Sequence, residues 1–260
     1  MKKNIFFFLL IIEFLFFNPV IAQNISEAID TPATKVLIST PRRFYFGNGY
    51  DFLMLSTTIL KKTGFETKLS TPRFTGIVNI GFNYHFDPNQ PIGFFTGLGL
   101  KNFGFMEHKK TGTHKSPVTI KRRVYTIGVP LGVKIGDMRN RNFVFLGGGV
   151  DVPFNYREKI FIKRHDKIEK TSEWFSEQTA TVMPYLFVGA SVNPGFIVKA
   201  SYYPGNFMNQ DYTITTSTGV SSQPYAGLVA QTIVLSFSID VHYNQYKIQE
   251  REYRAQKTKK

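Results

Sequence analysis

Residues 124–136, VYTIGVPLGVKIG, alternate from Tyr125 onward between large apolar side chains and small or polar ones. The large set comprises Tyr125, Ile127, Val129, Leu131, Val133 and Ile135. The set between them comprises Thr126, Gly128, Pro130, Gly132, Lys134 and Gly136. A strand places alternate side chains on opposite faces, whereas a helix would spread both sets around its circumference. The stretch therefore predicts a β-strand with one apolar face and one face of small residues.

Seven further segments share this period-two alternation. They are residues 43–58, 76–86, 93–105, 143–156, 180–192, 196–204 and 231–243. In the first of them we expect one face to carry Phe44, Phe46, Tyr50, Phe52 and Met54. The segment 180–192 has the weakest pattern, because neither of its faces is polar. Together the eight segments predict eight strands.

The composition excludes several other classes of protein. The 260 residues include 40 aromatic side chains (26 Phe, 13 Tyr and 1 Trp), no Cys and a formal net charge of +14. So many aromatic residues argue against intrinsic disorder, and the Phe, Tyr and Gly content argues against a long helical protein. Without Cys, a disulfide scaffold and a cysteine–metal site are impossible. The length suits one all-β domain.

The N-terminus has the features of a secretory signal peptide. Lys2 and Lys3 precede the apolar stretch 5–17, and we predict cleavage after Ala22. A membrane anchor is the alternative, but the stretch is short for a span and Glu13 interrupts it. We expect residues 23–41 to form an N-terminal periplasmic segment. Because no second apolar run of about 18 residues follows, a mature membrane protein would have to be a β-barrel.

The connections between the predicted strands distinguish a membrane barrel from a soluble one. Long and short connections alternate along the chain, in the order 59–75, 87–92, 106–123, 137–142, 157–179, 193–195 and 205–230. Outer-membrane barrels have short periplasmic turns and longer external loops, whereas a soluble sandwich or lipocalin-like barrel has no reason to sort its loops. The glycine-rich second face also suits a crowded interior better than a solvated surface. We therefore predict an all-β fold, an eight-stranded antiparallel transmembrane β-barrel with short periplasmic turns and long extracellular loops.

Three sequence phrases carry a family resemblance. They are residues 79–84 with 94–100, residues 125–134, and residues 199–209 with their Tyr-Tyr-Pro-x-Asn-Phe pattern. Over residues 42–243 the chain resembles the small outer-membrane β-barrel proteins that are PorT-like and have an OmpA-like transmembrane architecture. The resemblance implies a barrel in the outer membrane of a Gram-negative bacterium. In contrast to many such barrels, 17 residues follow Tyr243, where the last predicted strand ends.

Isolated charges occur on the face that we assign to the barrel interior. They are Asp51, Lys101, Lys134, Asp151, Lys199 and Asp240, accompanied by His85 and His242. An eight-stranded barrel is only wide enough for side chains to fill it, so buried acids and bases have to pair. Three acids against three bases favour a salt-bridged plug. A proton or solute pathway is the alternative interpretation.

The remaining chemical signals are weak. His108 and His114 lie in one predicted loop, but a metal site needs three or four converging ligands. No nucleophile or second acid is fixed against His85 or His242, and the glycine runs lack the ending of a phosphate-binding loop. We therefore predict no catalytic residue, no metal site and no cofactor.

Basic residues concentrate in the predicted external loops 59–75 and 106–123 and in the C-terminal tail, residues 244–260. In the loop 106–123 they are Lys109, Lys110, Lys115, Lys121, Arg122 and Arg123. In this topology we expect the loops to face the phosphate groups of outer-membrane lipid. A nucleic-acid site is not expected, because no recognition fold accompanies the charge. The tail is either a solvated end of the chain or a docking element for periplasmic or secretion-system proteins.

These observations favour a non-enzymatic barrel with a structural or interaction role. The family resemblance permits an accessory role in protein secretion or envelope assembly. A narrow passive, porin-like channel and a lipid-modifying outer-membrane enzyme are the alternatives.

Overall fold

The structure is a computed structural model in which the described residues form strands, turns and loops. It describes residues 44–49, 51–62, 64, 66–76, 79–89, 91–109, 118–138, 140–162, 166–193, 195–216 and 219–239. Within these ranges no helix has the length and apolar character needed to cross a membrane. The predicted signal peptide, the segment 23–41 and the tail 244–260 lie outside the described residues.

The described residues contain fourteen strands. They are β1 (Phe44–Asn48), β2 (Asp51–Lys62), β3 (Lys68–Leu69), β4 (Arg73–Gly76), β5 (Ile80–Asn89), β6 (Ile92–Lys109), β7 (Val118–Asp137), β8 (Asn142–Ile162), β9 (Asp166–Trp174), β10 (Met183–Val192), β11 (Phe196–Tyr203), β12 (Ile214–Thr215), β13 (Ser221–Ser222) and β14 (Leu228–Ile239).

Twelve of these strands form one antiparallel sheet. The strand order is β1-β5-β6-β7-β8-β10-β11-β14-β2-β3, with β4 paired to β2 and β9 paired to β8. The two remaining strands, β12 and β13, form a separate ribbon. The predicted all-β antiparallel fold is therefore confirmed.

The sheet has two faces of opposite chemistry, as the alternation predicts. In β7 the side chains of Ile127, Val129 and Leu131 are exposed, whereas Thr126 and Lys134 are almost completely buried. Because successive strand residues point to opposite faces, the small and polar positions of each strand collect on the buried side. The sheet thus exposes its large apolar residues and buries many of its polar ones.

Aromatic side chains fill much of the buried face. Phe95, Phe145 and Phe187 form one group, with ring centroids 5.8 to 6.2 Å apart. Farther along the strands, Phe103 stacks on Tyr203 at 4.6 Å between centroids. Outside the segment 180–192, the alternation predicts small and polar residues on this face, so its aromatic content is a finding of the structure.

One strand prediction was wrong in register. The segment 43–58 is divided into β1 and β2, and Met54 is buried instead of sharing the exposed face of Phe44 and Phe46. The pairing of β2 with β14 shifts by one residue between Phe237 and Ser238. A shift of one residue turns every following side chain to the other face, which explains the buried Met54.

Several predicted loops are largely strand. The predicted loop 106–123 becomes the upper parts of β6 and β7, which end at Lys109 and begin again at Val118. Lys121, Arg122 and Arg123 therefore lie within β7 instead of in a loop. The predicted connection 157–179 likewise contains the end of β8 and all of β9, which pair from Asn155 opposite Trp174 onward.

Candidate functional site

The first part of the site is an ion pair between Lys101 on β6 and Asp151 on β8. Lys101 Nζ lies 2.9 Å from Asp151 Oδ1 and 3.1 Å from Oδ2, and the Tyr203 hydroxyl donates to Oδ2 at 2.6 Å. Asp151 is fully buried. Lys101 Nζ also lies 3.8 Å from the centroid of the Tyr185 ring. The carboxylate therefore has a cation and a hydroxyl donor that together offset its burial.

A second ion pair joins β11 to β2. Lys199 Nζ lies 2.9 Å from Asp51 Oδ2, and the Ser238 hydroxyl donates to the other carboxylate oxygen. Ser238 belongs to β14, the strand between the two charged ones. A side chain of the intervening strand thus completes the hydrogen bonding of the buried carboxylate.

The third ion pair uses an acid that the sequence analysis missed. Lys134 on β7 is 1% exposed, and its Nζ lies 2.7 Å from Asp87 Oδ1, 3.0 Å from Tyr45 Oη and 3.2 Å from His85 Nδ1. The Tyr45 hydroxyl donates to Asp87 Oδ2 at 2.9 Å. An ammonium has three donors and no acceptor, so His85 Nδ1 accepts and the ring proton resides on Nε2.

Each of the three ion pairs joins two strands that have one strand between them. The strand between them carries a small residue at the place where the charged side chains pass over it. Gly128 of β7 lies between Lys101 and Asp151, and a Cβ there would overlap the Asp151 carboxylate. Gly93 of β6 lies in the same way between Lys134 and Asp87. The small residues of the alternation therefore provide the space in which the charges of next-nearest strands meet.

A fourth charged cluster lies at the end of the sheet opposite the turn between β7 and β8. Arg122 is 5% exposed, with Nη1 2.8 Å from Glu107 Oε2 and Nε 2.7 Å from Glu158 Oε2. Burial alone would lower the pKa of Arg122, but Tyr156, Glu158 and Glu107 together raise that pKa above its ordinary value. Arg122 was predicted as a base of the external loop 106–123, and the structure instead places it in a buried ion-pair network.

A cavity of about 90 Å³ lies beside the three lysine–carboxylate pairs. Lys101, Lys134 and Lys199 all line it, together with Asp51 and His85. The volume is enough for several water molecules, because one water requires roughly 10–15 Å³ on this measure. The arrangement pairs each of the three lysines with a carboxylate beside the cavity.

The structure does not describe every residue of the predicted sets. Asp240 and His242 lie outside the described residues, as do Lys110 and Lys115, and Lys109 is described only as the last residue of β6. His108 is exposed and hydrogen-bonds Thr119 at 2.9 Å. Among the described side chains, no group of three His, Asp or Glu residues could hold a metal ion.

Comparisons by sequence find no matching family model and no matching curated protein. Comparison of structures finds a likeness to Ail, the attachment invasion locus protein of Yersinia pestis, with 11% identity over 76% of this chain and 97% of that chain and a TM-score of 0.34. Neisserial surface protein A matches at 11% identity over 76% and 96%, with a TM-score of 0.35. CarO of Acinetobacter baumannii matches at 12% identity over 72% and 96%, with a TM-score of 0.30. The PorT-like resemblance stays a prediction.

Proposed function

We propose that the protein is a non-enzymatic outer-membrane β-barrel of a Gram-negative bacterium, with a structural or interaction role. The polarity of the sheet supports this proposal. Exposed positions include Phe46 at 62%, Leu131 at 67% and Leu186 at 62%, on strands from all parts of the sheet. Soluble proteins rarely expose contiguous apolar patches larger than a few hundred Å². In a membrane, the apolar acyl chains of the lipid would contact the same apolar surface.

The pairing pattern supports a closed barrel. β1 pairs with β5 at one end of the strand order, and β2 pairs with β14 at the other. Only residues 49 and 50 separate β1 from β2 along the chain. When β1–β2 and β4–β5 are each treated as one interrupted strand and β9 as part of a hairpin above the wall, the wall has the eight strands of the prediction. Closure also satisfies the backbone groups of both edges, which a lipid environment requires.

The filled interior supports the proposed structural or interaction role. Three buried lysine–carboxylate pairs and the aromatic groups around Phe95 and Phe103 occupy the buried face. A barrel filled in this way acts through its surfaces and its loops. An accessory role in protein secretion or envelope assembly, with periplasmic or secretion-system partners, is consistent with such a barrel.

A narrow passive channel is the second candidate, and the cavity of about 90 Å³ favours it. Among the described residues, Lys101, Lys134, Lys199 and Arg141 line the cavity together with one acid, Asp51, so a conducting form would favour anions. In this candidate the ion pairs would be constrictions of a pathway instead of a permanent plug.

Conductance in planar bilayers distinguishes the two candidates. We expect the purified wild-type protein to give no stable current, because the rings of Phe95, Phe145 and Phe187 close the interior. Replacing these three residues with Ala should produce single-channel steps. A matched variant with Phe46, Phe82 and Phe94 replaced by Ala, all three on the exposed face, should stay silent. Reproducible steps from the wild-type protein would contradict the filled interior and favour the channel.

The proposed interaction role has its own test. Affinity capture from envelope extracts should recover a partner with the full-length chain. A chain that ends at residue 243 should lose the partner if the tail is the docking element, and should keep it if the loops are. The interaction role is wrong if neither chain recovers a protein above the level of an unrelated barrel.

A further inference from the structure

The face of β7, β8 and β9 that carries Tyr125 changes its chemistry in steps along the strands. Ile127, Val129 and Val152 form an exposed apolar zone on this face. Above that zone lie three aromatic rings. Phe154 lies 6.3 Å from Tyr125 and 5.8 Å from Trp174, measured between ring centroids.

Two arginines follow directly above the aromatic rings. Arg123 and Arg157 are register partners, and their guanidinium carbons lie 5.4 and 5.1 Å from the centroid of the Tyr125 ring. Asn155 accepts a hydrogen bond from Arg157 Nε at 3.0 Å, which fixes one guanidinium. Electrostatic interactions connect Arg73 to Arg123 and Tyr125 as well. Several like charges therefore converge on one ring.

A row of three lysines continues the face. Lys121 is the register partner of Lys159, and Lys159 is the register partner of Lys170, across three neighbouring strands. The register places the acids of this region, Glu158, Glu169 and Glu173, on the other face. Among the described side chains above Tyr125 on these strands, this face thus carries five bases and no acid, the bases being Lys121, Arg123, Arg157, Lys159 and Lys170. Like charges directly opposite one another are destabilising, so a bound anion would stabilise the face.

The spacing of the steps matches one leaflet of a membrane. At about 3.3 Å per strand residue, the arginines lie roughly 7 Å beyond Tyr125 along the strand, and the lysines lie roughly 13 Å beyond it. Aromatic residues concentrate where the hydrocarbon ends, and phosphates lie just above that level. Guanidinium groups match the oxygens of a phosphate in a bidentate geometry.

We propose that the Tyr125 face binds a membrane lipid with a phosphate-bearing headgroup. The acyl chains lie along Ile127, Val129 and Val152, Arg123 and Arg157 hold the phosphate, and the lysine row contacts the outer part of the headgroup. This inference rests on the proposed function, because it requires the chain to span a membrane. It extends that function by naming one lipid-facing site and the headgroup chemistry that the site selects.

The test compares lipid retention by the full chain in phosphatidylcholine bicelles that contain a minority of dioleoyl phosphatidic acid. Native mass spectrometry measures how strongly phosphatidic acid is preferred among the retained lipids. We expect Arg123→Ala/Arg157→Ala to reduce the preference by about 30-fold. The matched control Lys61→Ala/Lys62→Ala removes two exposed bases from β2 and should keep the wild-type preference.

A second readout uses the wild-type chain alone. Trp174 is the only tryptophan, so its fluorescence reports directly on this face. Titration with phosphatidic acid should shift the Trp174 emission, and inorganic phosphate at the same concentration should not, because a free anion lacks the acyl chains. Equal responses to both would show a simple anion site and overturn the lipid assignment.

The outcomes separate the inference from the function on which it rests. Insertion into the bicelles and heat-modifiable gel migration are measured for every variant. A wild-type chain that inserts but shows no preference for phosphatidic acid, or a double variant that keeps it, overturns the lipid site alone. A wild-type chain that does not insert overturns both.

Discussion

Replacement of Asp151 by Ala gives a quantitative prediction for the ion pair between β6 and β8. The change leaves Lys101 Nζ without its carboxylate and removes the acceptor of the Tyr203 hydroxyl. Both groups are largely buried, because the Lys101 side chain is 13% exposed and Tyr203 is 4% exposed. Removing one partner of a buried ion pair costs about 3–5 kcal/mol of unfolding free energy. We expect Asp151→Ala to fall in this range.

The double variant separates the pairing energy from the cost of each truncation. Lys101→Met/Asp151→Ala removes both charges, so no uncompensated ion stays buried and the loss should be smaller than the sum of the single losses. Urea unfolding in lipid vesicles, followed by Trp174 fluorescence, gives the free energies. Single losses below about 1 kcal/mol, or additive losses, would refute the claim that the two charges depend on each other.

Three further predictions follow from other parts of the sheet. Gly128→Ala should destabilise the protein by about 1–3 kcal/mol, because a Cβ at this position overlaps the Asp151 carboxylate. At Gly99 a Cβ has no neighbour closer than 4.0 Å, so Gly99→Ala should cost little. Urea unfolding compares the free energies of unfolding of the two variants. Leu131→Arg places a charge on the exposed apolar face and should weaken insertion by about 2–4 kcal/mol, measured as partition into vesicles, and equal insertion of both proteins would contradict a lipid-facing position. Arg122→Lys should lower the thermal midpoint nearly as much as Arg122→Ala, because one ammonium cannot reproduce the bonds from Nη1 and Nε; full stability of the Lys variant would show that charge alone suffices.

The sequence pattern predicts the fold well where alternation is uninterrupted. From Tyr125 to Gly136 the large apolar residues occupy the odd positions and the small or polar residues the even positions. In β7 these two sets lie on opposite faces. The prediction fails at Met54 because the shift of pairing near Ser238 is a property of two strands far apart in the sequence. No pattern within one segment reveals such a shift.

The candidate site was predictable only in part. Lys101 and Asp151, and likewise Lys199 and Asp51, are found together as members of the predicted set of inward charges. Asp87 was missed because the Pro that follows it indicated a turn, although continued alternation from His85 places it on the same face. Arg122 was missed for a different reason. Its acids, Glu107 and Glu158, lie on neighbouring strands, so only the register brings them together.

The described aromatic residues and charges are distributed over both faces of the sheet. Part of the aromatic set packs on the buried face around Phe95 and Phe103, and part is exposed on the opposite face. Charges on the buried face pair with one another, whereas the described side chains above Tyr125 on the Tyr125 face include five bases and no acid. Both the aromatic residues and the charges are divided between the two faces of the sheet, and not between segments of the chain. Local composition alone therefore does not reveal the division.

Fractionation of the mature chain tests the central claim, a barrel in the outer membrane, most directly. Cells expressing the protein are separated into periplasm, inner membrane and outer membrane, and each fraction is run on a gel with and without heating. We predict that the chain is found in the outer-membrane fraction and that its migration changes on heating, because a closed barrel resists detergent until it is boiled. A soluble periplasmic chain whose migration does not change on heating would contradict the account.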